Sequence, residues 1–457
     1  MFNSIMQLIS ATYMIVLLVL LPIQFLYHDF AYANVLEASQ SSGDKPTIND
    51  PSLKVDTIFS GVNFPTSMAF LAPNDILVLE KNNGTVQRIV NGKILNEPLL
   101  KVSVANKGER GMLGVATSKN LTLHKTYVFL YYTQSGGGKT GDDVAGGIQP
   151  LGNGLYRYEL IDNNKLANPK LLLSLPTSPK TPNHNGGKIV IGPDQNIYLV
   201  VGDVDKYYNQ YFDHLPLATK AQNINNNKNP DGPGGILRLT QDGKPVLQKG
   251  TSIFGSNNEY PLNLYYAYGI RNSFGLAFDP ITGLLWDTEN GPDYGDEINL
   301  VQPGFNSGWA KVQGIWYNNG SRQGPAIQHV LDPNMLVNLE GKGKYRSPEF
   351  IWNETVAPTG LSFLNSTKLG KQYENDMFVG DFKNGNLYHF NVNPSRTGLS
   401  LHGTLADRLA SSPEEIQGQR LGRGFGAITD IKTGPDGYLY ILSYHLGYGN
   451  LYRISHK

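Results

Sequence analysis

The chain has 457 residues, 38 Lys plus Arg against 38 Asp plus Glu, and no cysteine. A formal net charge of zero provides no bulk attraction to nucleic acid or to an anionic membrane surface, and the lack of thiols excludes disulfides, thiolate catalysis and Cys–zinc sites. With 51 Gly, 27 Pro and 26 Tyr, the composition describes many turns between aromatic, β-prone segments, and the length allows a core that needs no disulfides.

From Ile5 to Tyr27 the chain is nearly all apolar and carries no charged side chain. Ala31-Tyr32-Ala33 follows as an A-x-A cleavage pattern. A run of about 20 apolar residues also suffices to cross a bilayer. Residues 1–33 are therefore expected to be a signal peptide or an N-terminal membrane anchor, and either exports the remainder. Residues 34–51 are polar and Ser-rich and read as a flexible tether. Sequons at Asn83, Asn120, Asn319, Asn353 and Asn365 fit an extracellular or cell-surface protein.

After residue 30 no long helical periodicity occurs. Instead, a turn rich in Gly, Pro, Asp or Asn, an apolar strand, a polar turn and a second strand recur in Asn74–Ile89, Lys125–Tyr158, Gly192–Leu239, Asp279–Leu300, Glu374–Phe390 and Gly434–Ile454. The nearest pair is Gly192-Pro193-Asp194-Gln195-Asn196-Ile197-Tyr198-Leu199 and Gly434-Pro435-Asp436-Gly437-Tyr438-Leu439-Tyr440. Six such units predict an all-β, six-bladed β-propeller over 52–457. Lys54–Phe59 is the segment expected to donate an outer strand to the last blade. The insertions Gln134–Asn153, Asp205–Pro233 and Lys311–Arg346 are expected to wall one face.

Polar residues that could carry chemistry follow in chain order. Gly108-Glu109-Arg110-Gly111-Met112-Leu113-Gly114 is a Gly-flanked turn before an apolar strand, open to close approach by a ligand. His184 sits in the turn Pro182-Asn183-His184-Asn185-Gly186-Gly187, and Gly202-Asp203 ends the strand expected beside it. A carboxylate partner fixes a histidine's tautomer and stabilises its imidazolium, which makes Asp203 a candidate orienter of a His184 base. Arg271-Asn272 offers a planar cationic fork and a carboxamide, suited to an anionic ligand. The Gly291-Pro292 turn with Asp293, Asp296 and Glu297 offers carbonyl and carboxylate oxygens of the kind calcium takes. Lys383 lies at a strand end beside Asp381.

Together these motifs closely resemble the soluble quinoprotein glucose/sorbosone dehydrogenase family, from about Val55 to Ile454. That resemblance implies a propeller binding pyrroloquinoline quinone and calcium on one face. It implies His184 as the base toward the sugar's anomeric hydroxyl, Asp203 as its partner, Arg271 as catalytic and, with Asn272, cofactor-binding, and Lys383 and Thr359 on the cofactor. Glu109 falls on the substrate side, and the carbonyls of Gly291 and Pro292 fall on the metal. One departure stands out: the family's Arg-x-Arg-Asp is here Ala427-Ile428-Thr429-Asp430, and Arg420 and Arg423 are the upstream arginines available to substitute.

The expected function is exported oxidation of an aldose to its lactone by hydride transfer to the quinone, with an external electron acceptor and no nucleic-acid partner. The alternatives are a cofactor-free propeller binding a glycan or protein, and a calcium-dependent hydrolase of the lactonase type.

Overall fold

The computed structural model describes residues 45–457, apart from 163, 179, 207–216, 227, 249–250, 256–258, 315–335 and 446. The N-terminal segment to Ala33, most of the tether and the Asn319 sequon lie outside the described residues, as do parts of two insertions. No helix among the described residues is long and apolar enough to cross a membrane.

The strands form six separate sheets. Their first strands are Pro65–Ala72, Met112–Asn120, Ile189–Ile191, Ser273–Phe278, Pro358–Phe363 and Ala427–Thr433. Each of these touches the next in chain order, and the last touches the first. The first strands thus ring a central channel, and the sheets radiate from them as blades 1 to 6 of a propeller. The six recurrent sequence units supply the second and third strands of these blades.

The repeated turn motif has a common hydrogen-bond basis. In blade 3, Gly192 N–H donates to Asn196 O at 2.8 Å. Asp194 accepts from Asn196 N at 3.2 Å and from the Tyr198 hydroxyl at 3.1 Å. In blade 6, Gly434 N–H donates to Tyr438 O at 2.8 Å, and Asp436 accepts from Tyr438 N at 3.2 Å and Tyr440 at 2.8 Å. In each case a short acid closes the turn and anchors the tyrosine of the strand that follows. That strand, Ile197–Val201 in blade 3, is buried at every residue, as suits a run of β-branched and aromatic side chains covered on both faces.

The core lies between blades. Phe129 and Tyr131 of blade 2 meet Ile197 and Leu199 of blade 3. Trp286 and Trp352 of blade 4 meet Phe363 and Val379 of blade 5. The ring is closed by the N-terminal strand: Leu53–Val62 pairs antiparallel with Tyr448–His456, with Val55 opposite Ile454. The expectation for Lys54–Phe59 is met. Within the span 34–51 expected to be a tether, Thr47–Ile48 pairs with Gly422–Arg423 at the outer edge of blade 5 and Asn49 N–H donates to Leu421 O at 2.8 Å. An extended polar segment passing an open sheet edge satisfies its own backbone there.

A buried ion pair crosses the channel. Lys188, at the entrance to the first strand of blade 3, bonds Asp430 on the first strand of blade 6, three blades away around the ring. Their side chains are 5% and 0% exposed. Asp430 also accepts from Met68 N at 2.9 Å and Ser67 Oγ at 3.1 Å in blade 1. Breaking a buried pair strands an uncompensated charge. Lys188→Met alone is therefore expected to cost about 3–5 kcal/mol in denaturant unfolding, with part of the loss recovered on adding Asp430→Asn, which removes the charge but keeps an acceptor for Met68 N–H. Equal stability of the single and double variants would show that Asp430 does not need its cation.

Candidate active site

Chain direction gathers the candidate residues onto one face. In an up-and-down blade, the start of the first strand and the end of the second strand share a face. Glu109, His184, Arg271 and Asn272 lie just before the first strands of blades 2, 3 and 4, while Asp203, Glu289–Gly291 and Lys383 lie at or just after the ends of second strands. Residues scattered over about 275 positions of sequence are brought to one mouth of the channel.

His184 is the centre of the site. Its Nδ1 lies 2.6 Å from Asp203 Oδ1 and 3.0 Å from Asp205 Oδ1. Asp203 Oδ2 accepts from the Trp309 indole N–H at 2.8 Å. The Arg271 guanidinium sits over the Trp309 ring at 5.4 Å, so the indole links the His–Asp pair to the cation. His184 Nε2 makes no hydrogen bond among the described residues. Burial and the Arg271 charge press the His184 pKa down, but the carboxylates of Asp205 and Asp203 outweigh them and hold it above the ordinary histidine value. Burial opposes ionisation of Asp203, yet His184, the indole N–H and Arg271 hold its carboxyl below the usual range.

Gly202 is required at this point, because a Cβ there would lie 2.3 Å from His184 O and 2.9 Å from Asn272 Oδ1. Only glycine lets the two loops approach this closely.

Arg271 is fixed by its surroundings. Its N–H donates to Glu289 Oε1 at 2.6 Å, and its NH1 donates to Asn290 O at 3.0 Å and Gly291 O at 2.9 Å. Asn272 Nδ2 donates to both Glu109 oxygens, at 3.1 and 3.2 Å, and Asn185 N–H reaches Glu109 Oε2 at 3.3 Å. Burial raises the Glu109 carboxyl above its usual range, against the pull of His184. The loop carrying Glu109 is clamped by Lys81, whose ammonium donates to the carbonyls of Asn106, Gly108 and Arg110 at 2.8–3.0 Å. Arg110 in turn bonds Asp143 and donates to Thr181 O at 2.9 Å. The insertion at 134–153 is thereby latched to the rim, as expected of a wall.

The sites of the other candidates differ in what they offer. The Gly291 carbonyl faces Arg271 and so lies on the mouth side, with Pro292 half-buried after it. Two of the three carboxylates there, Asp296 and Glu297, are committed to protein donors. Asp296 accepts from Gly291 N at 2.8 Å, Val356 N at 2.6 Å and Ala357 N at 2.7 Å, tying the mouths of blades 4 and 5 together. Glu297 points into the blade interface, held by Gly314 N at 2.6 Å and Gln313 Nε2 at 2.9 Å, and Asp293 is exposed. Lys383 is exposed and donates to Thr355 O at 3.1 Å. The Thr359 hydroxyl donates to Ile428 O at 2.5 Å, so it ties blade 5 to blade 6 instead of presenting its proton to the mouth.

Ala427 is buried, and Thr429 donates to Leu442 O at 3.3 Å. Substitution by Arg420 and Arg423 does not occur. Both lie on the fourth strand of blade 5, where Arg423 is exposed and Arg420 lines an outer cavity with Asn49, Tyr373 and His389. The strand Arg420–Arg423 pairs outward with Thr47–Ile48, which fixes it at the rim of the molecule.

Arg271 Nε, Asn272 Oδ1 and Asn290 Oδ1 are buried without a protein partner among the described residues. Buried polar groups are normally satisfied, so these three atoms suit a polar ligand seated on Arg271 and Asn272.

The model of the glucose/sorbosone dehydrogenase family matches residues 62–453. The chain belongs to this family. It is 27% identical over 403 residues to aldose sugar dehydrogenase YliI of Escherichia coli, covering 86% of this chain and 90% of that one. It is 30% identical over 274 residues to quinoprotein glucose dehydrogenase B of Acinetobacter calcoaceticus, covering 58% and 53%. The crystal structure of the soluble E. coli aldose sugar dehydrogenase in its apo form superposes with a TM-score of 0.63 at 25% identity, covering 89% of this chain and 100% of that one. The propeller of this family member agrees with the sequence reading.

Trp309 joins two halves of the site, and Trp309→Phe removes its indole donor together with part of the ring under Arg271. A hydrogen bond to a buried charge is worth about 1.5–3 kcal/mol, and the variant should lose that much stability. Denaturant unfolding checks it, and an unchanged midpoint would remove Trp309 from the support of Asp203.

Proposed function

We propose that the protein is an exported, quinone-dependent aldose dehydrogenase that oxidises the anomeric carbon of a sugar to the lactone. The observation that carries the reading is the His184 ring, bonded to Asp203 through Nδ1, beside the Arg271–Asn272 pair; among the described residues Nε2 makes no hydrogen bond and Arg271 Nε and Asn272 Oδ1 have no partner. Family membership and the quinoprotein relative support pyrroloquinoline quinone as the cofactor. Calcium at the Gly291 and Pro292 carbonyls rests on the family resemblance, and the Gly291 oxygen, which faces the mouth, would exchange its Arg271 donor for the ion.

When bound, the quinone supplies a two-electron acceptor for the hydrogen leaving C1, and calcium supplies a Lewis acid beside it. The chain's own residues do the rest. His184 Nε2 takes the proton of the anomeric hydroxyl, and Asp203 keeps the ring in the tautomer that allows it. Arg271, immobilised by Glu289 and the 290–291 carbonyls, places a fixed positive charge where negative charge grows, with no reorganisation at the moment of reaction. Asn272 orients Glu109, whose oxygens are available to sugar hydroxyls. Lys383 and Asn272 line the cofactor side, and an external acceptor takes the electrons. Residues 1–33 serve as signal peptide or membrane anchor and place the enzyme at or outside the cell surface.

Ala427 and Thr429 favour a second reading, a cofactor-free propeller that binds a glycan or protein, because the cations expected there are missing. One titration separates the two. Protein mixed with calcium and pyrroloquinoline quinone is expected to give a bound-quinone spectrum that bleaches on adding aldose, and a chelator is expected to abolish the bleaching until calcium is restored. His184→Ala should keep the bound spectrum and lose turnover by about 10²–10⁴-fold, the usual contribution of a general base. Failure to bind the quinone at all would favour the second reading.

A further inference from the structure

His184 has more negative charge beside it than a base needs for orientation. Asp203 alone could hold the tautomer, yet its oxygens are shared: Oδ1 also accepts from Asp205 N–H at 2.9 Å and Oδ2 from Trp309. The Asp205 carboxylate is 6% exposed as a residue, lies 3.0 Å from His184 Nδ1, and has no other side-chain partner among the described residues. It is placed there at a conformational cost. Val204 and Asp205 are consecutive non-glycine residues with φ of 47° and 56°, and His184 itself has φ of 56°. Such a conformation is unfavourable, most of all for a β-branched residue, and persists only where its surroundings enforce it. Here Asp203 N–H donates to Arg271 O at 2.8 Å and Val204 N–H to His184 O at 3.1 Å. Lys206, the next residue, is held by Asp231.

We infer that Asp205 is a positioning residue of the reaction: with Asp203 it brackets His184 Nδ1 between two carboxylates, and it thereby sets the pH range in which the base is available. This inference rests on the reading of His184 as the base. The charged groups facing the ring among the described residues are Asp203 and Asp205 from the loop after the second strand of blade 3, Arg271 from the loop before blade 4, and Glu109 from the loop before blade 2. Arg271 repels a proton on the ring, and the three acids attract one. Because the ring is the only ion-pair partner of Asp205 among the described residues, removing that charge loosens the proton. The neutral ring then survives to lower pH. It is also a weaker base, so its action at the plateau is slower.

The test begins on the protein without cofactor. Asp205→Asn keeps the shape of the side chain, and asparagine tolerates the left-handed backbone. The imidazole of His184 is titrated by NMR in wild type and variant, with the exposed His402 and His456 as internal controls. The His184 midpoint is expected to move to lower pH while the controls stay, and Asp205→Glu is expected to bring it back toward wild type. An unmoved midpoint in Asp205→Asn overturns the inference. In the enzyme loaded with calcium and quinone, the acid limb of kcat/KM should move to lower pH by the same interval. A moved midpoint with an unmoved limb also overturns it. Absence of any aldose turnover in the loaded wild type is a different result: it overturns the dehydrogenase reading, and the assignment of Asp205 to that reaction with it.

Discussion

Everything at the mouth depends on how the ring is closed. Six sheets arranged around a channel meet only if the last one is completed, and the strand that completes it, Leu53–Val62, comes from the other end of the described chain. Its pairing with Tyr448–His456 covers an edge that would otherwise be open. It also locks the first strand of blade 6 against that of blade 1, where Asp430 bonds Ser67 and Met68. The first strands of all six blades then run in the same sense. For this reason their entry loops share a face, and the site forms on that face and not on the other.

Within the mouth, Asp203 is the hub. One carboxylate receives an imidazole, a backbone N–H and an indole N–H from three separate stretches of chain. Such a group is held in one orientation because each lone pair has its own donor. Two further acids do comparable work one step out. Glu289 holds the backbone of Arg271, and Asp296 ties the Gly291 turn to residues 356 and 357. Burial pushes Glu289 up to about 7 and Asp296 up to about 6. The site is thus built on a layer of buried acids whose desolvation is offset by backbone N–H groups.

The sequence made the blades legible where local chemistry repeats. Asp194 and Asp436 sit in near-identical turns, and each closes its turn and anchors a tyrosine in the same way. His184 and Asp203 were readable because nineteen residues, one hairpin, separate a Gly-rich turn from a strand end. Long-range partners carried no such signal. Trp309 meets Asp203 across 106 residues and Lys188 meets Asp430 across 242, and neither pair has a local spacing that could announce it. Asp205 had a visible cue in Gly-Asp-Val-Asp, but whether a second acid turns toward the histidine depends on two left-handed residues that spacing does not reveal. The arginines at 420 and 423 misled for the opposite reason. They are near Ala427 in sequence, but an outer strand and a connecting turn separate them from the channel.

The Lys188–Asp430 pair has a mechanical meaning as well as an electrostatic one. A closed ring of panels resists being pulled open, yet it is soft to being squashed into an oval, because every joint can flex a little without any joint breaking. A strut along a diameter removes that soft mode. Blades 3 and 6 stand at the ends of such a diameter. The blade that carries His184 and Asp203 is the one braced, so the ring holds their loops at a fixed span from the far wall.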